Sequence, residues 1–140
     1  MIKAFFLIFV LIFSLDAASW REMKSFTLKK DEVARVRIKM SASPNSERLL
    51  TWRWTLYTDK ALVVHEKFDR IVGQHILYVG HNDGFQKALL PSIATQRDIP
   101  YAVVIFKKFD DQNKTAQFDL LIYDKEKRVL AEYFDKEEKK

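Results

Sequence analysis

Apolar and polar residues alternate along much of this chain with a period of two. Residues 33–40 place Ala34, Val36, Ile38 and Met40 on one side and Arg35, Arg37 and Lys39 on the other. Residues 50–57 repeat the pattern, with Leu50, Trp52, Trp54 and Leu56 facing together and Arg53 and Tyr57 on the opposite side. Successive side chains of a strand point to opposite faces, so each segment predicts a half-buried strand. Residues 41–46, Ser-Ala-Ser-Pro-Asn-Ser, read as the loop between them. Further strands are predicted over 25–30, 61–68, 74–79, 101–109, 116–123 and 129–134. Thr58-Asp59-Lys60 is a tight connection, and the Asp83-Gly84 pair marks a turn. Residues 102–106 and 120–122 lack alternation and predict central strands covered on both sides. Residues 85–99 are ambiguous between a helical turn and a short strand, with Pro100 holding Ile99 extended.

About eight short strands with regular turns predict an all-β, two-sheet antiparallel sandwich, immunoglobulin-like topology being one form of it. A small open barrel is the alternative. No internal repeat is visible, and residues 135–140, Asp-Lys-Glu-Glu-Lys-Lys, read as a solvated tail.

Residues 1–19 differ in kind. Lys3 precedes an apolar run over residues 4–13, and Ala17, Ala18 and Ser19 follow it. A positive start, a short apolar run and small exit residues predict a secretory signal peptide, cleaved after Ala17 or Ser19. The run is shorter than the twenty or so residues a spanning helix needs. Residues 20–134 then form one domain, with a periplasmic or secreted address and no transmembrane segment once the signal is gone. Such a compartment permits disulfides, yet the chain has no Cys. Disulfide scaffolds and thiolate chemistry are thereby excluded, and stability rests on an apolar core, for which 48% hydrophobic residues suffice.

The net charge of +5 favours anionic partners. It lacks the dense clustering of a nucleic-acid binder. If the strands over 33–40 and 50–57 form a hairpin, Arg35, Arg37, Lys39 and Arg53 share one face bordered by Tyr57. The expected partner is an envelope protein or an anionic surface. Trp52 and Trp54 alternate with Leu50 and are expected in the core rather than on a sugar-binding platform.

Catalytic and metal signatures are weak. His65, His75 and His81 match no metal spacing, although His75, His81 and Asp83 are candidates for a loop site of a small hydrolase or metal-dependent enzyme. Asp59, Asp69, Asp110, Asp111, Asp119 and Asp124 lack calcium-loop spacing. There is no nucleophile elbow or phosphate loop, and no cofactor is expected. Asp111-Gln112-Asn113-Lys114-Thr115 contains Asn-x-Thr and resembles the extended acceptor of bacterial oligosaccharyltransferases, with its acid two positions before the Asn. That resemblance implies a glycan on Asn113.

Overall fold

A computed structural model describes residues 20–90 and 98–134, so the expected signal peptide and tail lie outside the described residues. Within the described residues nine antiparallel strands form two sheets: β1 (Trp20–Lys29), β2 (Ala34–Met40), β3 (Ser43–Thr58), β4 (Ala61–Phe68), β5 (Ile71–Tyr78), β6 (Gly84–Ala88), β7 (Tyr101–Asp110), β8 (Thr115–Tyr123) and β9 (Val129–Tyr133). The four-stranded sheet runs β1-β8-β7-β6 and the five-stranded sheet β5-β4-β3-β2-β9. This is the expected sandwich, with no closed barrel. Its four consecutive strands β2 to β5 form a meander, unlike the immunoglobulin order, in which strands B and E lie side by side.

The turns explain the meander. Between β3 and β4, Asp59 and Lys60 both take positive φ, 51° and 66°, the conformation a two-residue hairpin turn requires. Asp69 does the same, at 58°, between β4 and β5. The inward faces then meet in one core. Val36, Leu50, Trp52, Leu62 and Val64 of one sheet pack on Val104, Phe106, Phe118 and Leu120 of the other, all at most 1% exposed. The rings of Phe26 and Phe118 meet Trp52 edge-on, at 4.9 and 6.4 Å.

Trp52 and Trp54 are core residues as expected, 1% and 4% exposed. The rest of their strand departs from expectation. The β3–β4 register shifts between Trp54 and Leu56, where Thr55 makes a bulge. One extra residue exchanges the two faces beyond it. Leu56 therefore points outward, 50% exposed, and Tyr57 turns inward to stack on Phe109 at 3.8 Å. The expected loop over 41–46 shrinks to a turn, because β3 already begins at Ser43. β5 starts at Ile71, three residues before its expected onset.

The ambiguous segment contributes β6, an edge strand paired to β7. β7 and β8 lie centrally in their sheet and do alternate. Their outward Val103, Ile105 and Leu121 are half-buried, no second layer among the described residues covers them, and these apolar outward residues hide the period in the sequence.

Candidate functional site

The β2–β3 hairpin forms, so its cations share the outer face of the five-stranded sheet. Their electrostatics are not uniform. Arg37 lies 3.1 Å from both Glu47 and Glu132, and its guanidinium covers Phe134 at 4.7 Å. Lys39 lies 2.8 Å from Glu132 and 4.0 Å from Glu47. These two cations and two carboxylates cancel. The hydrogen bonds from Lys39 and Arg37 hold the Glu132 carboxyl below its ordinary pKa. Of the four cations expected to share this face, Arg37 and Lys39, on its β9 side, are thus neutralised. Tyr57 does not border it, since the bulge turns the ring into the core.

Arg35 and Arg53 make no ion pair among the described residues, and the structure adds two neighbours to them. Arg53 pairs with His65 and Thr51 with Lys67 across β3 and β4, while His65 pairs with Gln74 and Lys67 with Val72 across β4 and β5. Two adjacent rows result, Arg53–His65–Gln74 and Arg35–Thr51–Lys67–Val72. All of these except Arg35 line an open groove of about 600 Å³ with Val33 at one wall, while Arg35 faces a neighbouring depression with Arg37, Glu47 and Asp69. Lys67, like Arg35 and Arg53, is exposed and without an ionic partner among the described residues. Beyond the groove, Leu56, Val63 and Ile76 form an apolar row across the same three strands. The sequence carried part of the signal, since Val63, His65 and Lys67 alternate with buried positions, but their register against Arg53 is set by the Thr55 bulge and not by the Asp59-Lys60 turn alone.

On the reverse side of β4 lies Glu66, whose side chain is fully buried. It forms an ion pair with Lys87 of β6, reaching across from the opposite sheet, and lies 3.5 Å from His75 Nε2. The His75 ring stacks on Phe85 at 4.5 Å. Among the described residues neither Glu66 oxygen has a hydrogen-bond partner, and the Lys87 ammonium is its ion-pair partner. Gly73 sits opposite Glu66, and a Cβ there would collide with its Oε1. The sequence pattern contained this feature too, as the one acid on the face bearing Leu62, Val64 and Phe68.

His75 thus serves the interior, whereas His81 is exposed in the turn after β5 and Asp83 is half-exposed at the entry to β6. Among the described residues, no three His, Cys, Asp or Glu side chains are grouped to hold a metal. Asn113 is exposed in a tight turn. Its backbone N–H donates to Asp110 Oδ1 at 3.1 Å and its Nδ2 to Oδ2 at 2.8 Å. These bonds, with that from the Gln112 N–H, hold the Asp110 carboxyl below its ordinary pKa. Asp124 is buried and accepts from the Arg128 and Val129 N–H groups, so it shapes the β8–β9 loop.

Among the described residues, no helix is long and apolar enough to cross a membrane. No protein-family model matches the chain, and neither a curated protein nor a solved structure matches it. The fold and its surface define an antiparallel sandwich with a cationic groove on its larger sheet.

Proposed function

We propose that this chain is an exported, non-enzymatic β-sandwich that holds an anionic component of the cell envelope on the outer face of its five-stranded sheet. The observation that carries the reading is the placement of Arg35, Arg53 and Lys67 on adjacent rows with no carboxylate among them. The Glu47–Arg37–Lys39–Glu132 network next to them shows how the same face looks where charge is compensated. Phosphate or carboxylate groups match the uncompensated rows, with guanidinium forks available for paired hydrogen bonds.

Flotation of the mature protein with phosphatidylglycerol vesicles, and affinity capture on an acidic polysaccharide, test the reading against phosphatidylcholine and a neutral glucan. Each cation near an anionic surface is worth roughly fivefold in affinity. Arg53→Glu with Lys67→Glu is therefore expected to reduce binding by more than about 25-fold. The neutral pair removal Arg37→Gln with Glu132→Gln is expected to change little. Binding should weaken as salt rises, as exposed charges require. Equal binding by wild type and the Arg53/Lys67 variant would refute the groove as the site. Export is tested by sequencing the mature N-terminus, expected between Ala18 and Trp20; retention of Met1 in protein recovered from the envelope would refute cleavage.

A further inference from the structure

The cationic rows end at the β5 edge of the sheet, and that edge is half open. The Tyr78 N–H donates to the Asn82 carbonyl and the Tyr78 carbonyl accepts from the His81 N–H, both at 3.2 Å. Tyr78 therefore directs both backbone groups away from β4. Antiparallel strands alternate in this respect, so Val72, Gln74 and Ile76 direct theirs the same way. Asn82 Nδ2 donates to the Ile76 carbonyl at 2.9 Å. The chain's own turn thus closes the Tyr78 end of the edge. At Val72 and Gln74 the backbone groups stay unpaired among the described residues.

Edge strands are ordinarily protected by charge, Pro or a bulge. From Ile71 to Tyr78 there is no Asp, Glu, Lys, Arg or Pro, and the β4–β5 register is unbroken. Ile71 and Val72 are 67% and 73% exposed.

We propose that this edge takes up an extended acidic segment of a partner protein as a sixth strand of the five-stranded sheet. The inference rests on the groove being an anion site and specifies what fills it. Strand neighbours lie about 4.8 Å apart, so outward side chains of an added strand stand about 10 Å from those of β4. An extended Lys67 and a Glu side chain span that distance over Val72. The segment is therefore acidic at positions facing the groove and apolar at the alternate positions, which cover Ile71. A second copy of this chain fits less well. Pairing β5 with itself would join two sets of Arg53 and Lys67 in one sheet, with no carboxylate on β5 to offset them.

The test uses the full-length chain and a capped eight-residue peptide alternating Glu and Val, measured by calorimetry and fluorescence anisotropy. Wild type should bind it, and replacing Glu by Lys in the peptide should abolish binding. N-methylation of the Glu amides removes the donors of an antiparallel addition, and N-methylation of the Val amides those of a parallel one. One of the two peptides should lose at least about tenfold, the value of two lost hydrogen bonds. Val72→Pro with Gln74→Pro should lose as much. Both N–H groups point to the open edge, so the substitutions leave pairing with β4 intact. Lys67→Glu, a surface change, should also weaken binding.

Full affinity with both N-methylated peptides would overturn the proposal and leave simple charge attraction. Failure of every peptide while phosphatidylglycerol vesicles or acidic polysaccharide still bind would overturn it and spare the groove reading. Failure of all these probes would overturn both. Self-association that disappears in the Val72/Gln74 variant would assign the edge to a second copy and refute the acidic partner.

Discussion

Trp52 and Trp54 occupy equivalent inward positions on β3, yet replacing each by Phe should have opposite consequences. The Trp54 indole N–H donates to the Leu28 carbonyl at 2.8 Å within the core. The Trp52 Nε1 is buried and has no hydrogen-bond partner among the described residues. Both substitutions remove the same ring volume, so the packing loss largely cancels in the comparison. Trp54→Phe also strips a buried carbonyl of its donor, at a cost of about 1–3 kcal/mol. Trp52→Phe instead relieves a buried unpaired donor, a gain of similar size. The two variants should therefore differ by at least about 2 kcal/mol, with Trp54→Phe the weaker. At about 4 °C per kcal/mol for a domain of this size, the melting temperatures separate by about 8 °C. Urea unfolding followed by circular dichroism supplies the free energies, and unchanged slopes would show that the unfolded state is not involved. Trp52→Phe proving as destabilising as Trp54→Phe would refute the assignment of partners. Truncation to Ala should cost each site about 3–5 kcal/mol, a large part of a typical 5–15 kcal/mol stability.

The remaining expectations concern charge and modification. Lys87→Met leaves Glu66 buried without its cation and should cost about 3–5 kcal/mol, while adding Glu66→Gln should recover most of it; a melting series that shows no recovery would refute the cross-sheet pairing. Asp110 and Glu132 have folded-state pKa values below their unfolded ones. They therefore stabilise the fold above the ordinary carboxylate range, and this contribution is lost as pH falls through the lowered values. Glu132→Gln should flatten the fall in urea midpoint below about pH 5; an unaltered acid limb would count against the network. Intact mass of protein from its native host should show one glycan that disappears in Asn113→Gln and in Asp111→Ala. Because Asp110 occupies the Asn113 amide, Asp110→Ala should raise the modified fraction, and an unmodified native mass would reduce the segment to a turn.

What the residues reveal in advance depends on the range of the interaction. The strand 61–68 is legible to the residue, since its alternation is clean and both its flanking turns are short. The bulge at Thr55 is not legible: Trp-Thr-Leu-Tyr continues the alternation smoothly, and the inward pull on Tyr57 comes from Phe106 and Phe109 of the other sheet. The neutralisation of Arg37 and Lys39 is hidden for the same reason, because Glu132 is 95 residues from Arg37 in sequence. Composition gave a positive surplus. Where that surplus survives, at Arg35, Arg53 and Lys67, was decided by which strands became neighbours. Glu66 was visible as an acid on an apolar face, but its cation, Lys87, lies in the segment whose secondary structure the sequence left open.

The strand order also governs how the molecule comes together in time. The meander from β2 to β5 is built from successive neighbours and can close hairpin by hairpin. The first strand has no such neighbour: β1 waits for β8, as the Ser25–Asp119 hydrogen bond across 94 residues illustrates. β9 must likewise return to β2. Both sheets are thus completed by remote pairings, whose chain-closure entropy is spent before any contact repays it, and such topologies fold in milliseconds to seconds rather than microseconds. A chain emerging from its N-terminus can hold a nascent β2–β5 sheet, but it cannot seal the core until β8 and β9 have been made.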